Sequence, residues 1–110
     1  MKITIHSIHF DADKKLLALI QERLNKLDQF FNHIIGAEVY LRLDKDPDAG
    51  NKIVEVKIDM SQKVETVKAR SKTFEKALDE VYHALEQIVK RHKEKLRNRK
   101  VDKNLLLIED

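Results

Sequence analysis

The chain has 110 residues, too few for two independent hydrophobic cores, so one domain is expected. Hydrophobic residues at 42% are enough to bury a core, charged residues at 37% imply a densely charged surface, and a net charge of +3 with a pI near 9.1 is only mildly basic. The absence of cysteine excludes a disulfide framework and any thiolate metal site or nucleophile. No apolar run is long enough for a signal-peptide core or a bilayer span, so a cytoplasmic protein with no membrane partner is expected.

Ile3 and Ile5 alternate with Lys2, Thr4 and His6, the period-two pattern of a first strand. Asp11 then stands where an N-cap belongs, with Asp13 in the first turn, and Leu16, Leu17, Ile20, Leu24, Leu27 and Phe31 recur at helical spacing up to about Phe31. Gly36 reads as a stop. Ala37, Val39, Leu41 and Leu43 alternate with Glu38, Tyr40, Arg42 and Asp44 as a second strand. The run from Asp44 to Asn51 collects turn-formers and charge and is expected to be an exposed hairpin loop. Val54, Val56, Ile58 and Met60 give a third strand, and Val64 to Ser71 a fourth, with Val67 and Ala69 inward and Lys68 and Arg70 outward. Thr73 is placed as the N-cap of a second helix carrying Phe74, Ala77, Leu78, Val81, Leu85, Ile88, Val89, His92 and Leu96. Carried to Arg99, that helix spans about 39 Å at ~1.5 Å per residue, longer than a small sheet needs for cover. The expected fold is α+β in the order β-α-β-β-β-α, both helices on one face of a four-stranded sheet and the other face open. The domain is placed at 1–100 and a short tail at 101–110.

Lys90 to Lys100 holds seven basic residues and a histidine against the single acid Glu94. Cations near a helix C-terminus complement the macrodipole, but two or three suffice for that. Seven within three turns, with Lys90, Lys93 and Arg97 read as a face opposite Leu85 and Ile88, point to a phosphate-binding rod. Lys68, Arg70 and Lys72 could extend the footprint if the open sheet face lies beside the helix end. On helix one, the cations are balanced by Asp13, Glu22 and Asp28, so spacing alone marks none of them.

Catalysis finds little support. The five histidines lack metal-ligand spacing, and there is no GxSxG elbow, Gly-rich phosphate loop or nucleophile beside a base, so neither enzyme activity, nor a metal, cofactor or small-molecule substrate is expected. Phe30, Phe31 and Phe74 read as core, which leaves Tyr40 without the second aromatic of a base-stacking sheet. Recognition should then rest on backbone and shape.

Three segments, Lys26-Leu27-Asp28-Gln29-Phe30-Phe31, Phe74-Glu75-Lys76-Ala77-Leu78-Asp79 and Arg91-His92-Lys93-Glu94-Lys95-Leu96-Arg97, occur in this order and at these separations. Through them the chain resembles the ribosome hibernation promoting factors, also called ribosome-associated translation inhibitors or sigma-54 modulation proteins, from about Lys2 to Lys100. The resemblance implies a fold related to double-stranded-RNA-binding domains. It also implies binding to ribosomal RNA of the small subunit, between head and body, and a block of messenger RNA and transfer RNA sites in non-growing cells. It implies RNA contacts from Lys90, Arg91, Lys93, Lys95 and Arg97, and adds Lys26, Arg70 and Lys76. Ending at Asp110, the chain looks like a short form without linker or second domain, but Leu105 to Ile108 is more apolar than the basic tails of short members. Two other readings stay open: a general double-stranded-RNA binder, and a protein interaction module in which helix two and the apolar tail form a dimer seam. Oligomeric state and the pairing of bound ribosomes are left undetermined.

Overall fold

A computed structural model describes residues 1–31, 34–45, 50–61 and 63–109, with the backbone alone from residue 97 onward. The elements are β1 (Lys2–Ser7), α1 (Lys14–Phe30), β2 (Gly36–Leu43), β3 (Lys52–Met60), β4 (Lys63–Ser71) and α2 (Phe74–Glu109), the expected order. They build one four-stranded sheet in the order β1-β2-β3-β4. β1 and β2 pair in parallel, as a helical crossover requires, whereas β2, β3 and β4 form an antiparallel meander.

Alternation sets the two faces. Val39 pairs with Val56 and Val56 with Val67, and this row, with Ala37, Leu41, Val54 and Ile58, points toward the helices. α1 contributes Leu16, Ile20, Leu24, Leu27 and Phe31 to the same core, and α2 contributes Ala77, Leu78, Val81, Leu85 and Val89. Both helices therefore cover one face. On the other face stand Thr4, Glu38, Lys57 and Thr66 in one row, and His6, Tyr40, Glu55 and Lys68 in the next. Ile53 belongs to that outer face yet is buried; its cross-strand neighbours are Arg42 and Arg70, whose aliphatic stems shield it.

Local chemistry corrects three expectations. The N-cap of α1 is Asp13, not Asp11: the helix begins only at Lys14, Asp13 has extended backbone, and its carboxylate accepts the Lys15 backbone N–H at 3.3 Å. Gly36 opens β2 instead of stopping α1, which ends at the Phe31 cap, whose N–H bonds the Leu27 carbonyl. A Cβ on Gly36 would meet the Lys2 carbonyl oxygen at 3.2 Å, so glycine suits the parallel pairing there. Phe30 is 50% exposed and not core; it lies at the margin of the stripe formed by Leu24, Leu27 and Phe31.

Other expectations hold. Thr73 caps α2, its hydroxyl accepting the Lys76 N–H at 3.1 Å, and Val67 and Ala69 face the core. The hairpin after β2 is closed by the Asp44 N–H to the Asn51 carbonyl at 2.8 Å, and Gly50 takes φ 77° where a side chain would strike the Ser71 backbone. Residues 46–49 of the expected loop lie outside the described residues. α2 runs past Arg99 to Glu109; Leu96 is the last of its described side chains packed on the core, and residues 97–109 extend the helix by about 20 Å at ~1.5 Å per residue.

Leu24 is only 1% exposed between sheet and α2. Leu24→Ala is expected to destabilise the chain by about 2–5 kcal/mol, read as a lower urea midpoint at constant slope.

Candidate nucleic-acid interface

α2 follows β4 and runs back along it, so its first turn lies by Ser71 while Arg91, His92 and Lys95 come to lie beside Lys63 at the start of the strand. α1 runs in the same direction as α2. Arg23 pairs with Asp79 at 3.0 Å and lies 5.4 Å from the Tyr82 ring centre, and Phe31 meets His92 edge-on at 5.6 Å. The end of α1 and the basic part of α2 therefore share one end of the domain.

Burial shows how α2 turns within that end. Val89, His92 and Leu96 face inward, whereas Lys90, Arg91, Lys93 and Lys95 are exposed. They do not form one outward stripe. Lys93 leans toward α1: its Nζ lies 4.8 Å over the Phe30 ring and 3.5 Å from the Phe30 carbonyl oxygen, at the negative end of the α1 dipole. Lys90, one turn earlier, shares that side. Arg91 and Lys95 lie on the opposite flank, against β4. The side chain of Arg97 lies outside the described residues, as do those of the apolar tail.

Among the described residues none of Lys26, Lys76, Lys90, Arg91 or Lys95 forms an ion pair, whereas Arg23, Arg42, Lys63 and Arg70 each do. This matters for binding, because an unpaired exposed cation meets a phosphate without first giving up a carboxylate. Lys26 is exposed in the final turns of α1, at the same end as the basic part of α2. Arg70 sits elsewhere: it is near the far end of β4, about 23 Å from Lys63 at ~3.3 Å per residue, on the open face and paired with Asp44. Lys76 is exposed in the first turn of α2, also far from Lys90 to Lys95. The open sheet face therefore does not extend the helix-end footprint through Arg70; the two basic regions lie at opposite ends of β4.

The open face has its own organisation. His6 and Tyr40 stack with ring centres 4.9 Å apart and planes 16° from parallel, and the Arg42 guanidinium covers Tyr40 at 5.3 Å. Arg42 also donates to Glu55 at 2.5 Å, and the Tyr40 hydroxyl donates to Glu38 at 2.5 Å. That bond and the adjoining negative charge push the Tyr40 phenol above its usual range. Reading the sequence missed the His6 partner of Tyr40, because β1 and β2 are far apart in sequence and only parallel pairing brings His6 opposite Tyr40. It also missed Lys63, whose place beside the basic part of α2 shows only once that helix is docked.

An α+β domain with a mixed four-stranded sheet, two parallel helices on one face and a long basic second helix is the class that fold and site define. The sequence profile described as "Sigma 54 modulation protein / S30EA ribosomal protein" matches residues 3–97, most of the chain, and the protein belongs to that family. Among solved structures, it is similar to a ribosomal subunit interface protein from Coxiella burnetii (20% identity, TM-score 0.76, 84% of this chain and 98% of that one). It is also similar to the N-terminal domain of Protein Y from Thermus thermophilus (20% identity, TM-score 0.72, 84% of this chain and 99% of that one). At that identity the likenesses speak for the fold alone. A comparison with curated proteins by sequence finds no significant match.

Alkaline titration checks the open face. Tyr40 is expected to ionise above the ordinary tyrosine value of about 10, and Glu38→Gln to bring it down toward that value. Tyr82, also raised but chiefly by burial, should not move with that substitution; absorbance titration of the two phenolates reads both.

Proposed function

We propose that this protein binds ribosomal RNA of the small subunit through the basic end of α2 and holds the ribosome idle by excluding messenger RNA and transfer RNA, without chemistry of its own. The observation that carries this reading is the cluster of Lys90, Arg91, Lys93 and Lys95: exposed, carried on a helix packed through Val89 and Leu96, and without a carboxylate partner among the described residues. Membership of the S30EA family supports a ribosomal partner, and the names of the two structural relatives fit it. Lys26 joins the cluster from the end of α1. Arg70 and Lys76 make a second, separate contact region in this reading.

Binding of this kind is dominated by counterion release from the phosphate backbone. The bound domain acts by volume, and its action is set by where it sits. Among the described residues no helix is long and apolar enough to cross a membrane, and the proposed place of work is the cytoplasm of non-growing cells, in the stationary phase or under stress. The general double-stranded-RNA reading differs in one respect: a free RNA duplex then competes as well as the small subunit does.

Reversing Lys90, Lys93 and Arg97 together to glutamate should abolish cosedimentation with small subunits while the far-ultraviolet dichroism stays that of the parent. For about five phosphate contacts, the parent's log affinity should fall by roughly 0.7–0.9 per contact for each decade of salt. Undiminished binding by the triple variant, or a slope near zero, refutes the proposal.

A further inference from the structure

Between the first residues of β4 and the β4-facing flank of α2 lies an open groove of about 280 Å³, lined by Met60, Lys63, Glu65, Ile88, Arg91, His92 and Lys95. Met60 is fully buried and Ile88 half-buried, so the floor is apolar, while Lys63, Arg91 and Lys95 are exposed around it. Lys63 is held by Glu65 at 3.0 Å, so three cations stand against one carboxylate and the groove is net positive with His92 neutral. Glu94, the acid between Arg91 and Lys95 on α2, does not line it. Like-signed charge over a low-dielectric floor concentrates the field at the mouth of a cleft.

We infer that this groove is a seat for a single phosphate group, held by Arg91 and Lys95 from α2 and by Lys63 from the edge of the sheet. The inference deepens the ribosomal reading, on which it rests for the origin of that phosphate, and it adds Lys63 as a binding residue. Two features favour phosphate over other anions. Arg91 presents a planar fork that suits two phosphate oxygens at once. Cations from two separate elements meet a group that carries several oxygens, whereas one carboxylate, that of Glu65, already takes part of Lys63. Because Arg91 and Lys95 are one turn apart, the seat lies along the helix and not at its tip.

The test is an NMR titration of the full chain with inorganic pyrophosphate at constant ionic strength, with sodium acetate as the singly charged control. Saturable shifts confined to Lys63, Glu65, Arg91, His92 and Lys95, absent with acetate and weakened about tenfold in Lys63→Gln, are expected from the loss of one charge-assisted contact. Shifts spread over every lysine-bearing surface, or reproduced by acetate, overturn the seat. A second arm compares cosedimentation with small subunits for Lys63→Gln and for Lys57→Gln, which removes an exposed cation from the open face. A weaker Lys63→Gln with a salt slope lower by about 1, beside an unchanged Lys57→Gln, identifies the phosphate as RNA backbone. An unchanged Lys63→Gln, with pyrophosphate still saturating the groove, keeps the seat and assigns it to a free phosphate compound. The pyrophosphate arm uses no ribosome, so loss of the ribosomal reading and loss of the seat are separate results.

Discussion

Packing of two parallel helices against one face of the sheet is the constraint from which the rest of the structure follows. Leu24, Leu27 and Phe31 on α1 and Leu85 and Val89 on α2 close the same core over Val39, Val54, Val56 and Ile58. Burial of this kind stabilises by roughly 25 cal/mol per Å² of apolar surface, and it fixes the rotation of α2 about its axis as well as its place. With Val89, His92 and Leu96 turned inward, Lys93 has to fall beside α1, and Arg91 and Lys95 beside β4. The charge pattern of the helix is thus divided by hydrophobic packing into two flanks.

Much of this was legible in the sequence, and the exceptions have identifiable causes. The strands declared themselves because apolar residues alternate with polar and charged ones in β2 and β3, and Thr73 announced α2 through its side-chain oxygen. The end of α1 was harder, since Phe30 and Phe31 look alike in a helical count, yet only Phe31 is on the buried side. Asp11 and Asp13 are equally good caps by type; the choice belongs to whichever carboxylate reaches a free N–H, here that of Lys15. For the site, the richness of Lys90 to Lys95 was visible, but its division into two flanks was not. A helical wheel gives angles; only the docked neighbour says what lies at each angle. Arg70 looked continuous with the helix cluster because it stands a few residues before α2, whereas the reversal of direction between β4 and α2 carries the basic end away from it.

The ion pairs separate cations with different roles. Arg23 ties α1 to α2 through Asp79 and Tyr82, and Arg42 and Arg70 secure the outer face through Glu55 and Asp44 while shading Ile53. Such partly exposed pairs contribute little stability individually, about 0–1 kcal/mol, but they occupy the guanidinium groups. Among the described residues, those unpaired at the α1 and α2 end are Lys26, Lys90, Arg91 and Lys95, with Lys93 seated on an aromatic ring and a carbonyl oxygen. A net charge of only +3 is compatible with polyanion binding when the unpaired part of it gathers at one end.

The aromatic arrangement bears on what such a surface can read. Tyr40 is stacked by His6 and overlaid by Arg42, so neither is a bare platform on which successive bases could stack. Phe30 is the exposed ring nearest the cations, and Lys93 stands over it. Base stacking on Tyr40 is therefore a poor source of discrimination here. In the proposed RNA-binding reading, selectivity would have to come from geometry: cations on two flanks of one helix, with Arg91 and Lys95 separated by a rise of about 6 Å, would favour phosphates held in a matching arrangement. A folded RNA offers such an arrangement and a flexible strand does not, because the strand must lose conformational entropy to adopt it. In that reading, the rigidity that would make the surface insensitive to sequence would also make it sensitive to RNA shape.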